Sequence, residues 1–187
     1  VYAFEPIPYT FRTLTRITKL FRLKNVEIIN KGCSDNEGKI KFSIPLQKNG
    51  TISAGLAFID MDEKKRSIRL SKGDHSDIIT KELDIIKIDD LDFNKVSFIK
   101  VDVEGAELKV LKGAINTIKN LRPIIMIEIE DRWIESYNIK REDIDSFFND
   151  LNYQTHHYSD GILVKCDINS TKINNFIFIP QDHKVIA

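Results

Sequence analysis

Carboxylates and small residues follow one of the most apolar stretches of the sequence, and their spacing suits chemistry at the edge of a sheet. Phe98–Val101 is short and rich in apolar and β-branched residues, which predicts a strand buried in a sheet. Asp102, Glu104 and Gly105 come next, before a stretch with helical spacing. Because open α/β sheets bind ligands where strands give way to helices, both carboxylates can point into one pocket. The alternative is that either carboxylate only caps the helix.

An acid also follows the first predicted strand, Val1–Phe4. This strand ends in Glu5 and Pro6, and a proline has no N–H to donate to a sheet. A carboxylate at the carboxyl end of an early strand can accept both hydroxyls of a ribose, because the vicinal diol offers two donors at matching spacing. Glu5 is therefore a candidate for nucleotide binding, and the alternative is an ordinary surface-loop residue.

Small and polar residues follow the second predicted strand, Val26–Asn30. Gly32 permits close approach of the backbone to a ligand, and Ser34 and Asp35 can hydrogen-bond the exocyclic amine or a ring nitrogen of a purine. The same residues, continuing to Gly38, are also typical of a simple turn.

The remaining pattern predicts alternating strands and helices. Helices are predicted after Pro8, from Ala106 through Ile118 and over Arg141–Leu151. Further strands are predicted over Lys39–Ile44, Ile78–Ile88, Ile124–Glu130, Tyr153–Tyr158, Ile162–Lys165 and Phe176–Ile179, the last three antiparallel. The first strand, helix and strand are expected to form a parallel, right-handed unit. Pro45–Gly73 is predicted to be loops with a short strand near Ser67–Leu70, a length typical of a lid or substrate wall.

Composition narrows the class of protein. The 187 residues fit one domain, and 28 basic residues balance 28 acidic ones, so neither the net charge nor a basic stripe indicates a nucleic-acid partner. Cys33 and Cys166 lie far apart and are typical of reduced cysteines in a cytoplasmic protein, with a single disulfide as the alternative. Apolar runs stay below membrane-spanning length. His156 and His157 would project to opposite faces of a strand, so we expect no shared metal site.

In their order along the chain, these three turns resemble the FkbM family of S-adenosylmethionine-dependent methyltransferases. The resemblance covers about residues 1–156. It is carried by the stretches Val1–Pro6, Gly32–Asp35, Ile88–Leu91, Phe98–Ala114 and Arg122–Ile129. Of these, the long central stretch is the most specific.

The resemblance implies a class I, Rossmann-like α/β fold: an open, mostly parallel sheet with antiparallel C-terminal strands, in a single methyltransferase domain over residues 1–187. It implies S-adenosylmethionine as cofactor, with the ribose at Glu5, the adenine along Gly32–Asp35 and the methyl group near Asp102. The cofactor-binding residues would be Glu5, Pro6, Gly32, Cys33, Ser34, Asp35 and Asp102. Asp102 and Glu104 would be the catalytic residues, acting on a hydroxyl of a sugar or other small molecule. Trp133 and Tyr137 would line the acceptor pocket or cover the core.

In the family, a first strand and a glycine-rich loop precede the segment that resembles Val1–Pro6. The resemblance therefore implies that this chain is N-terminally truncated, lacks a central strand and half of the cofactor site, and is inactive as it stands. Two alternatives stay open on the sequence: a nucleotide-dependent oxidoreductase of the NAD type, since an acid after an early strand also suits that ribose, and a non-catalytic binding module.

Overall fold

The strands and helices of the chain fall into two units in the computed structural model, which describes residues 1–47, 50, 52–53, 57–59 and 75–183. The first unit is Val1–Lys87 and the second is Ile88–Ala187. Both contain parallel and antiparallel strands together with helices or 3-10 turns, so the predicted α/β class is confirmed.

The first unit begins with the predicted strand, helix and strand. Strand β1 is Tyr2–Phe4, helix α1 is Pro8–Leu20 and strand β2 is Glu27–Ile29. Pro8 occupies the first turn of α1, where its fixed φ and missing N–H cost nothing. Strands β1 and β2 pair in parallel, as predicted, with Phe4 opposite Ile29.

A second sheet of the first unit is built on a long antiparallel pair. Its strands are β3 (Gly32–Cys33), β4 (Gly38–Gln47), β5 (Phe58–Ile59) and β6 (His75–Ile86), in the order β3-β6-β4-β5. Ile7, Ile44 and Leu83 form its buried core.

Two predictions for this sheet were wrong in detail. Gly32–Cys33, predicted as part of a turn, is a short strand that pairs in parallel with the end of β6. Pro45 and Leu46, predicted as the start of a loop, instead continue the pairing of β4 with β6. The strand predicted near Ser67–Leu70 lies outside the described residues.

The second unit contains the predicted strand Phe98–Val101 and the carboxylates that follow it. Its elements are a 3-10 turn (Ile88–Leu91), β7 (Phe98–Val101), α2 (Glu107–Lys112), α3 (Ile115–Leu121), β8 (Ile124–Glu128), α4 (Asp131–Ile134), a 3-10 turn (Glu135–Tyr137), α5 (Arg141–Asp150), β9 (Tyr153–Ser159), β10 (Ile162–Lys165) and β11 (Asn175–Pro180). The sheet order is β10-β9-β11-β8-β7. Strands β7 and β8 are parallel, and the remaining pairs are antiparallel, as predicted for the C-terminal strands.

The core of the second unit includes residues of β8, β11 and α5. Ile125 and Ile127 are fully buried in β8. Phe148 of α5 stacks on Phe178 of β11, with ring centroids 3.7 Å apart. Tyr153 is 2% exposed, and its hydroxyl donates a hydrogen bond of 2.9 Å to the carbonyl oxygen of Pro123.

Two expectations for the second unit need correction. The single helix expected from Ala106 is two helices, α2 and α3, separated by Gly113 and Ala114. Strand β7 is an edge strand of the described sheet and is only partly buried, with Phe98 53% exposed. Among the described strands of the two units, three pairings are parallel and five are antiparallel.

Cys33 and Cys166 are both free thiols. Within the described ranges, every helix is too short or too polar to cross a bilayer.

Candidate functional site

The loop that follows β7 has an unusual backbone. Glu104 has φ of 56° and Gly105 has φ of 104°, both in the left-handed region. A residue other than glycine rarely adopts this conformation unless its surroundings hold it there, and such positions cluster at functional sites. The loop of Asp102–Ala106, here called the acidic loop, therefore presents its two predicted catalytic carboxylates on a constrained backbone.

Glu107, the first residue of α2, holds the acidic loop from inside. Its Oε1 accepts hydrogen bonds from the N–H of Gly105 at 3.0 Å and of Val103 at 3.4 Å. The residue is 2% exposed, and burial raises the pKa of its carboxyl group despite these hydrogen bonds. Glu107 was not among the residues predicted from the sequence. The signal was present, since Glu107 lies four residues before the buried Leu111 and thus on the apolar face of the helix.

Asp102 lies beside a second carboxylate at the end of the neighbouring strand. Val101 pairs with Ile127, so the next residues, Asp102 and Glu128, are also neighbours across the parallel ladder. Burial, then the charges of Asp102 and Glu130 and a hydrogen bond with Asp102, raise the pKa of Glu128.

A cation balances this acidic pair. The Lys100 ammonium lies 2.7 Å from the Asp102 carboxylate, and both side chains are about half exposed. Asp102 therefore lies between a positive charge and a carboxyl group whose pKa is raised.

The outer side of the acidic loop packs against α4 and the turn that follows it. A Cβ on Gly105 would lie 2.6 Å from the Trp133 carbonyl oxygen and 2.9 Å from the Tyr137 ring, so only glycine fits. Trp133 is 8% exposed and covers the core, with the Arg132 guanidinium 4.5 Å from its ring centroid. Tyr137 is half-buried beside the loop.

In the first unit, Glu5 lies directly after β1 and is half-buried. Its Oε1 accepts a hydrogen bond of 2.7 Å from the Ile7 N–H. Burial raises the pKa of Glu5, and the hydrogen bond from Ile7 opposes that rise. A carboxylate has room for further donors, since its two oxygens offer about four lone-pair sites.

The two predicted cofactor turns of the first unit lie side by side. Asn30 Nδ2 donates to the carbonyl oxygens of Glu5 at 2.8 Å and Pro6 at 3.2 Å. A Cβ on Gly32 would lie 3.5 Å from Pro6 Cβ, so the two backbones pack closely. Asn30, which the sequence argument did not select, is the side chain that ties these turns together.

The residues after Gly32 differ in what they can offer a ligand. Burial raises the pKa of the half-buried Cys33 thiol to about 12, so it stays protonated. Ser34 is 1% exposed, its N–H donates to the Ile86 carbonyl, and its Oγ donates to Asp35 at 3.1 Å. Asp35 is exposed. Its carboxylate, oriented by Ser34, is the group of this turn available for hydrogen bonds to a ligand.

Each unit thus presents carboxylates directly after parallel strands, an arrangement that can accept hydroxyl or amine donors and take up a proton. Comparison with known protein families decides between the chemistries this allows. A family model described as the methyltransferase FkbM domain matches residues 1–155. The chain belongs to this family.

Two curated relatives of this FkbM-domain chain are methyltransferases. Hexuronic acid methyltransferase AglP of Haloferax volcanii is 33% identical over 128 residues, which are 67% of this chain and 46% of that protein. Methyltransferase 1 of Beauveria bassiana is 26% identical over 144 residues, which are 70% of this chain and 55% of that protein. The chain spans about half the length of the curated relatives that it matches.

A solved structure shows the same fold. The crystal structure of methyltransferase FkbM from Methylobacillus flagellatus KT aligns with 96% of this FkbM-domain chain and 36% of that chain, with a TM-score of 0.51 and 18% identity. The predicted methyltransferase fold class is confirmed at this level.

Proposed function

We propose that the protein transfers a methyl group from S-adenosylmethionine to a hydroxyl oxygen of a sugar or another small molecule. The observation that carries this proposal is the FkbM-domain match over residues 1–155, which spans all three of the predicted ligand turns. The named substrate class of one relative, a hexuronic acid, supports a sugar acceptor. The family match favours methyl transfer over nucleotide-dependent oxidoreduction.

The side chains of the first unit suit the adenosyl part of the cofactor. Glu5 has one oxygen bonded to the Ile7 N–H and retains lone pairs for a ribose diol. Asp35 is exposed beside the buried Ser34 and can accept a hydrogen bond from the exocyclic amine of adenine. Gly32 leaves no side chain between the backbone and Pro6. Ser34 and Cys33 support this turn without contacting the ligand through their side chains.

The acidic loop supplies groups for proton transfer. When bound, the cofactor supplies an electrophilic methyl group on a sulfonium. Asp102, which lies 2.7 Å from the Lys100 ammonium and beside the carboxyl group of Glu128, would accept the proton of the acceptor hydroxyl as the methyl group passes from the sulfur to that oxygen. Glu104, in the same constrained loop, orients the acceptor. Most of the remaining rate enhancement comes from aligning oxygen, methyl and sulfur.

A labelled methyl-transfer assay tests the proposal. Protein expressed from the complete reading frame is incubated with methyl-labelled S-adenosylmethionine and a panel of acceptors: glucuronic acid, glucose and a glycoside of each. We expect label in at least one sugar and a fall of about 10²–10⁴-fold in turnover for Asp102→Asn. Asp150→Asn, an exposed carboxylate at the end of α5, is the matched control and should keep wild-type turnover.

The outcomes separate the assignments. If the Asp102→Asn variant still transfers label at the wild-type rate, the protein is a methyltransferase and Asp102 is not its general base. Absence of S-adenosylmethionine binding, with binding of NAD⁺ in its place, would overturn the proposed function in favour of an oxidoreductase.

A further inference from the structure

Glu107 is a buried carboxyl group whose hydrogen bonds go to the acidic loop. It is 2% exposed, and its Oε2 has no hydrogen-bond partner within the described residues. Its Oε1 accepts from the N–H of Gly105 and the N–H of Val103. A half-satisfied buried carboxyl group costs free energy compared with an apolar side chain of the same size. Leu108 and Leu111, its neighbours on α2, are apolar and buried.

The two amides that Glu107 engages flank the most constrained residue of the loop. Val103 and Gly105 stand on either side of Glu104, which has φ of 56°. The N–H of Gly105 belongs to the peptide plane that follows Glu104, so fixing it restricts ψ of Glu104. The N–H of Val103 belongs to the plane that links Asp102 to Val103, so fixing it restricts ψ of Asp102. The Trp133 carbonyl bounds the loop on its other side at Gly105. The backbone of the acidic loop is thus fixed by the Glu107 carboxyl group and by its close contact with the Trp133 carbonyl.

We propose that Glu107 is a positioning residue: its Oε1 sets the backbone of the acidic loop and thereby aims Asp102 and Glu104 at the cofactor and acceptor. The proposal rests on the proposed methyltransferase function and adds a residue to that site. Glu107 itself does not contact ligand. The requirement is an acceptor oxygen at this position, and the negative charge of the carboxylate is not needed.

Three variants separate this role from simple core packing. Glu107→Gln keeps the acceptor oxygen and removes the ionisable group. Glu107→Leu keeps the volume and removes the acceptor, which leaves the Val103 and Gly105 amides without their partner. Leu111→Ala is the control, because Leu111 is 1% exposed on the same helix, makes no hydrogen bond to the acidic loop through its side chain, and its truncation opens the core.

Two measurements are made on protein from the complete reading frame, well below the unfolding temperature of each variant. Calorimetry gives the dissociation constant for S-adenosylhomocysteine, and amide hydrogen exchange gives the protection of Val103 and Gly105. We expect Glu107→Leu to weaken the ligand by about tenfold or more and to speed exchange at both amides. Glu107→Gln should stay within about threefold of wild type in affinity, and Leu111→Ala should bind normally although it melts earlier.

Three results overturn the proposal: wild-type affinity and protection in Glu107→Leu, equal damage in Glu107→Gln and Glu107→Leu, or an equal loss of affinity in Leu111→Ala. If the wild-type protein does not bind S-adenosylhomocysteine, the proposed function is wrong, and so is the proposal that Glu107 aims Asp102 and Glu104 at the cofactor and acceptor. In that case, exchange at the two amides still decides whether Glu107 sets the loop.

Discussion

Replacing Asp89 by alanine should destabilise the second unit at the start of α3. Asp89 Oδ2 accepts the N–H of Asn116 at 2.9 Å, and Oδ1 accepts both the N–H and the hydroxyl of Thr117 at 2.8 Å. Its own N–H donates to the Gly113 carbonyl at 3.0 Å. Among the described contacts, no other side chain caps the N-terminus of α3. The Asp89 carboxylate performs that role, although Asp89 lies 27 residues before Asn116 in the sequence.

The magnitude follows from which groups lose their partner. Asn116 is exposed, and water replaces the carboxylate there at little cost. Thr117 is 8% exposed, so its N–H and hydroxyl are left without an acceptor. Losing the hydrogen bonds to a charged cap, and leaving these two buried donors without an acceptor, should lower the free energy of unfolding by about 2–3 kcal/mol. For a protein of this size, that corresponds to a fall of roughly 5–10 °C in melting temperature. Asp89→Asn keeps one acceptor oxygen, so its free energy of unfolding should fall by about 1 kcal/mol.

Urea unfolding of protein from the complete reading frame measures both variants, with Thr117→Val added to complete a double-mutant cycle. The coupling between Asp89→Ala and Thr117→Val should be about 1 kcal/mol. An Asp89→Ala variant within about 0.5 kcal/mol of wild type, or a coupling near zero, would refute the reasoning.

Three further changes test the loop and the core. Glu107→Gln should flatten the pH dependence of the free energy of unfolding, measured by urea titrations at several pH values. Because the pKa of Glu107 is raised in the folded state, its contribution to stability is fully present below pH 4.5 and is lost as pH rises through the folded pKa. Gly105→Ala should cost more than about 2 kcal/mol in thermal melts, since φ is 104° and a Cβ would meet a carbonyl oxygen at 2.6 Å. Gly161→Ala, with φ of 88° and open space, is its control and should cost about 1 kcal/mol. Tyr153→Phe should cost about 1 kcal/mol by the same melts, through loss of its buried hydroxyl hydrogen bond, and an unchanged melting temperature would contradict that role.

Local patterns predicted two strands closely where apolar and β-branched residues follow one another in the sequence. The bounds of β7 and β10 agree with the predicted ranges, Phe98–Val101 and Ile162–Lys165. Parallel pairing of β1 with β2 followed from the helix between them, since that crossover returns the chain in the same direction. These features depend on neighbours in sequence, and the sequence displays them directly.

Features that depend on distant partners were not predictable in the same way. The break between α2 and α3 lies at Gly113 and Ala114, where the backbone and first amides of α3 are bound by Asp89. The helical periodicity of the apolar residues continues through this break. Likewise, the strand formed by Gly32 and Cys33 exists because it pairs with the far end of β6, more than fifty residues later in the chain.

Part of the candidate site was predictable, because carboxylates after parallel strands stand out by type and position. The sequence identified Glu5, Asp35, Asp102 and Glu104 on that basis. The residues that support them, Glu107 and Asn30, escaped because their role lies in hydrogen bonds to backbone atoms. Whether the selected residues bind and activate the ligand stays a prediction.

Calorimetric titration of protein from the complete reading frame with S-adenosylhomocysteine tests the central claim most directly. The account predicts one ligand per chain, an affinity about tenfold weaker for Glu5→Gln because the ribose loses a charged acceptor, and no heat with NAD⁺. A protein that binds NAD⁺ and gives no heat with S-adenosylhomocysteine would contradict it.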